Sequence, residues 1–140
     1  MARGVPQPPE FVIDRALGIV LAEAIHARGY VVHTLRSLYG EEGAQNIADE
    51  EWIPQAASLG HVILTKDDAI RRFPPARDAA FTSRARIFCL PNAHSTTAQV
   101  RERILLHLNR IVQRARKDGP FMYAVDADGL RLLWPRDMPH

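Results

Sequence analysis

The run from His61 to Asp68, H-V-I-L-T-K-D-D, limits what this chain can fold into more than any other stretch. Val62, Ile63 and Leu64 leave no polar face, as in a strand covered on both sides of a parallel sheet. Thr65, Lys66, Asp67 and Asp68 follow at once, so pure core gives way to concentrated charge within one residue step. Ligands of open α/β sheets bind beyond the carboxyl ends of the strands, where these groups would sit. An acidic pair there costs stability unless something neutralises it, and the usual neutraliser is a metal ion.

The preceding chain supplies a sheet for that strand. Phe11-Val12-Ile13 reads as a short buried strand ending at Asp14. Leu17, Val20, Leu21, Ala24 and Ile25 follow at helical spacing, with Gly29 placed as a stop. Tyr30 to His33 make a second strand, so the opening is a βαβ unit with parallel strands. Asp14 then stands at a carboxyl end, either as a helix cap or as part of the acidic edge. Residues 34–47, with Gly40 and Gly43, suggest a loop or short helix. Asp49-Glu50-Glu51-Trp52-Ile53 opens a helix with its acids at the positive pole of the dipole. Pro54 fits its first turn only if that helix starts near Ile53.

Beyond the acidic edge, Ile70 to Pro75 reads as a helical turn halted by prolines, with a short helix over 76–83. Arg86 to Leu90 is a fourth strand. Thr96 with Gln99 is a capping-box signature for one long helix, whose apolar stripe is Val100, Ile104, Leu105, Leu108, Ile111 and Val112. Its arginines read first as a solvated face. Phe121 to Val125 and Leu130 to Trp134, joined by Asp126-Ala127-Asp128-Gly129, read as a hairpin, and turn chemistry explains both aspartates.

At 140 residues the chain suits one core, with residues 1–9 as an extended lead-in and residues 10–140 as a single domain. Cys89 is the sole cysteine, which excludes a disulfide framework and a cysteine zinc site. No apolar run reaches the roughly 18 residues of a membrane span, and the start lacks a signal peptide's apolar region. A cytoplasmic protein is expected. Lys66 and Lys117 are the only lysines, so arginine carries nearly all the positive charge, and guanidinium suits phosphate.

Three acidic sites thus point to one edge: Asp14, Asp49 with Glu50 and Glu51, and Asp67 with Asp68. Crowded carboxylates repel, and Mg²⁺ or Mn²⁺ reverses that sign because hard cations take oxygen ligands. Such a centre serves phosphodiester hydrolysis without a histidine base. Lys66, Arg71 and Arg72 stand close enough in sequence to hold substrate phosphates. His33, His61 and His94 fall near strand ends but show no zinc-site spacing, so they read as ordinary histidines. No nucleophile elbow and no Gly-rich phosphate loop is present.

F-V-I-D, D-E-E-W and V-I-L-T-K-D-D, in that order, resemble the PIN-like nucleases, in particular a compact branch related to VapC-type toxins. The resemblance covers roughly residues 10–92 and is joined by the arginine-bearing helix; the C-terminal hairpin lies outside it. It implies a three-layer α/β/α sandwich with a mostly parallel sheet, the hairpin being added. It also implies a Mg²⁺- or Mn²⁺-dependent endoribonuclease, often a toxin neutralised by a cognate antitoxin and often paired as a homodimer. By motif match Asp14, Asp49 and Asp67 would hold the metal, with Glu50 or Asp68 assisting. Asn92 falls where the family often places a further ligand or substrate contact. Two other classes stay open: a non-catalytic nucleic-acid- or protein-binding module, and a receiver-like phospho-accepting domain. Against the receiver, Asp14 has no acidic neighbour and no lysine follows the last parallel strand.

Overall fold

The computed structural model describes residues 8–14, 17–66, 69–90 and 96–135. Most of the expected lead-in, residues 1–7, lies outside them. Six strands form one sheet: β1 (Phe11–Ile13), β2 (Val32–Thr34), β3 (Val62–Thr65), β4 (Arg86–Cys89), β5 (Phe121–Asp126) and β6 (Gly129–Trp134). Their order is β2-β1-β3-β4-β5-β6, with the first five parallel and β6 antiparallel to β5. The mostly parallel sheet and terminal hairpin are as the sequence suggests. The chain leaves β1 for β2 on one side and returns to β3 on the other, so β1 and β3 flank a topological switch point.

Strand alternation splits the core into two. Phe11, Ile13, Val62, Leu64 and Phe88 face α1 (Gly18–His26), α5 (Thr97–Leu106) and α6 (Leu108–Arg114). Val12, Ile63, Ile87 and Cys89 face α2 (Leu35–Asn46), α3 (Asp49–Ser58) and α4 (Pro74–Thr82). Both faces of every central strand are therefore dry, which is why the strands lack polar alternation.

Four local expectations need correction. The stretch after β2 is helical on both sides of a break: Thr34 and Ser37 form a reciprocal cap at its start, and Gly40, at φ 78° and ψ 170°, separates two short helical pieces. Helix α3 starts at Asp49 and carries Pro54 inside it. A proline there supplies no N–H for the carbonyl four residues back, and burial of Trp52, Ile53 and Ala56 outweighs that loss. The 3-10 turn over Ala69–Arg72 stops before the prolines as expected, but the helix expected over 76–83 begins at Pro74, since a first helical turn needs no proline N–H. The long helix is broken at His107, at φ −104° and ψ 12°, into α5 and α6. The His107 ring is buried, and its Nε2 lies 2.9 Å from the Ala127 carbonyl in the hairpin turn.

Phe88 is fully buried on β4, its ring edge-on to Phe121 at 5.5 Å and stacked near Tyr123 at 6.0 Å. Phe88→Ala is expected to lower the unfolding free energy by about 3–5 kcal/mol, read by urea denaturation.

Candidate active site

Parallel pairing of β1 with β3 sets Ile13 level with Leu64, and the next residues on the two strands are Asp14 and Thr65. The Asp14 backbone N–H donates to the Leu64 carbonyl at 2.9 Å, extending the ladder by one step. The Thr65 hydroxyl donates to Asp14 Oδ2 at 2.9 Å. Thr65 is 1% exposed, so this donor has no competing water and fixes the carboxylate's orientation. Helix α1 begins at Gly18, with Leu17 at its N-cap and no side-chain capping bond.

The second acid comes from α3. Ala48 has no side-chain oxygen, and Glu51 alone reaches back, its Oε1 accepting from the Ala48 N–H at 3.2 Å. Glu51 is thus taken up by capping. Asp49 is half-buried, and its Oδ1 accepts from the Trp52 indole N–H at 2.9 Å. Trp52 is 1% exposed, so a core side chain dictates where Asp49 points. Glu50 is half-buried beside it. Since α3 leads through Gly60 into the amino end of β3, its first turn lies toward the carboxyl edge that bears Asp14.

A cavity of about 390 Å³ adjoins Asp14, with Thr34, Arg36, Glu41 and Gln45 among its lining residues. Lys66 follows Thr65 at the same edge, half-buried; Arg71 and Arg72 end the 3-10 turn. Asp67, Asp68 and Asn92 lie outside the described residues. Among the described residues, Asp14, Asp49 and Glu50 do not by themselves close into a three-ligand cluster. The one such cluster, Glu10 with His33 and His61, sits at the opposite edge.

Sequence reasoning missed two working groups. Thr65 and Trp52 were read as a strand end and a core residue, yet each aims a candidate carboxylate. The signal was present as polar hydrogens adjoining acids in V-I-L-T and D-E-E-W, but only the register and the helix start reveal their targets.

Asp14 at the end of a strand beside the switch point of a 2-1-3-4-5 sheet, with Asp49 at the start of α3, marks an α/β domain with carboxylates toward one sheet edge. The PIN like domain family matches residues 9–92, and the chain belongs to it. A Mycobacterium tuberculosis protein named "Putative ribonuclease VapC45" is 37% identical over 114 residues, which cover 81% of this chain and 83% of that one. No solved structure matches the chain significantly. Among the described residues, no helix is long and apolar enough to cross a membrane.

Thr65→Val keeps the side chain's shape and removes the hydroxyl that orients Asp14. The variant is expected to fold, and any divalent ion that Asp14 holds is expected to bind it about tenfold or more weakly than the parent, with Mn²⁺ as the probe in titration calorimetry.

Proposed function

We propose that a single domain over residues 10–140 is a divalent-metal-dependent endoribonuclease of the VapC type, the toxin of a toxin–antitoxin pair acting in the cytoplasm. The observation that carries this reading is the Asp14 carboxylate, held by buried Thr65 at the switch point of the sheet. It is supported by membership of the PIN-like family and by the printed name of the mycobacterial relative.

The donor set fits a hard cation. Asp14 and Asp49 offer carboxylate oxygens whose directions are fixed by neutral donors, Thr65 and Trp52. Oxygen donors of this kind suit Mg²⁺ or Mn²⁺ better than softer ions. Asp14, Asp49 and Asp67 would hold Mg²⁺ or Mn²⁺, with Glu50 or Asp68 assisting. When bound, such an ion supplies Lewis-acid neutralisation of the phosphodiester's charge.

The chain's other groups position the substrate. Lys66 stands one residue beyond the strand that carries Thr65, and Arg71 and Arg72 end the next turn, so all three are assigned to contact with the substrate's phosphates near that edge. Asn92, after β4, is assigned to the same edge by its place in the family pattern. Phosphate contacts of this kind hold the strand in register and carry no sequence information. A cognate antitoxin is the proposed protein partner, and a homodimer the proposed assembly.

Asp14→Asn removes one charge while keeping an oxygen for the Thr65 hydroxyl. It is expected to cut RNA cleavage in Mg²⁺ or Mn²⁺ more than about 100-fold without lowering the unfolding midpoint, and EDTA is expected to stop the parent enzyme. A variant that unfolds, or one that still cleaves, would overturn the assignment.

A further inference from the structure

The amino edge of the same sheet carries a second group of ligating side chains that the nuclease chemistry does not use. Glu10 immediately precedes β1 and His61 immediately precedes β3, level with each other across the parallel ladder. His33 lies on β2 opposite Val12, two positions beyond Glu10 and therefore on the same face. Register alone thus brings two imidazoles and a carboxylate together, although residue 10 is far from 33 and 61 in sequence. One donor atom from each lies within 4.8 Å of the other two.

We propose that Glu10, His33 and His61 form a binding site for a zinc-class transition-metal ion, distinct from the acidic centre at the other end of the strands. Asp14, in that centre, lies four residues beyond Glu10 along β1, about 13 Å at the usual strand rise, and two beyond the level of His33. Two imidazole nitrogens and one carboxylate are a donor set that suits zinc and leaves an open position. Imidazole selects for zinc-class ions over Mg²⁺, so donor chemistry would keep the two sites apart.

Spacing supports the assignment. With zinc–ligand bonds of about 2.0–2.2 Å, two ligands of a tetrahedral ion lie roughly 3.4 Å apart. Glu10 Oε1 is hydrogen-bonded to His33 Nε2 at 2.8 Å, a contact that an ion would replace, and lies 3.6 Å from His61 Nε2. The two rings are stacked, with centroids 4.5 Å apart and planes 19° from parallel, so their nitrogens run side by side. Convergence on an ion requires rotation of His33 and Glu10, whose side chains are 28% and 49% exposed and have room to move. His61 is the fixed member, 8% exposed, and its Nδ1 has no hydrogen-bond partner. Burial first, and then the neighbouring His33, hold its imidazole below the ordinary value against the opposing pull of Glu10. The neutral ring is the ligating form. The partial exposure of Glu10 and His33 gives an ion a way in.

The test is titration of the untagged protein with Zn²⁺ in excess Mg²⁺, followed by calorimetry and by the thermal midpoint. One equivalent is expected to bind and to raise the midpoint, because an ion joining β1, β2 and β3 binds the folded state alone. His33→Gln and Glu10→Gln, both at partly exposed positions, are expected to weaken binding about tenfold or more, whereas Asp14→Asn retains it. The absence of saturable binding would overturn the proposal, as would wild-type affinity in both edge variants. Loss of zinc in Asp14→Asn would place the ion in the acidic centre instead, and so would also overturn it.

Discussion

The contact on which the candidate site depends is the hydrogen bond from the Thr65 hydroxyl to the Asp14 carboxylate. It exists only because β1 and β3, distant in sequence, are adjacent and in one register. A shift of one residue would turn Thr65 to the opposite face and leave Asp14 without its donor. The apolar run of β3 prevents that shift in an unusual way. Both faces are buried, so hydrophobic pattern alone does not choose a register; the differing shapes of the two cores must do so. Packing of Phe11, Ile13 and Leu64 on one side against Val12 and Ile63 on the other is thus a condition for the chemistry at the strand ends.

The carboxyl-edge geometry follows from local sequence to differing degrees. The strands, the parallel sheet and the hairpin were legible because apolar runs bounded by Asp, Gly and Pro have few other interpretations. The Thr96–Gln99 cap was legible for the same reason, being a local exchange of bonds. What failed were helix boundaries that tertiary burial decides. Pro54 argues against an early start when α3 is considered alone, and only the burial of Trp52 and Ile53 shows why the helix tolerates it. The break at His107 was hidden because its apolar stripe runs on unbroken through Leu105 and Leu108, and the cause lies in the hairpin turn, twenty residues on. Of the candidate site, Asp14 and Asp49 could be picked out by their motifs, but the donors that aim them could not. Asp67, Asp68 and Asn92 rest on motif match alone.

The histidines teach the complementary lesson. Along the chain the histidines show no zinc-site spacing of the H-x-E or H-x-x-x-H kind. Strands bring ligands together across the ladder instead, where the sequence interval is arbitrary. Glu10, His33 and His61 meet because each sits at or near the amino edge of neighbouring strands, and one of the three is a glutamate that no histidine count would include.

The latch between His107 and the Ala127 carbonyl has a bearing on how far this scaffold can be altered. Surface turns of two or three residues ordinarily accept insertions at modest entropic expense. This one is fastened through a buried imidazole to the junction of two helices, and the Arg110 guanidinium adds a second tie to the Asp128 carbonyl at 3.2 Å. Lengthening the loop would strip an inward-facing ring of its acceptor and loosen the joint between α5 and α6. The tip of the hairpin is therefore a poor place to graft a tag or reporter, despite its exposed position.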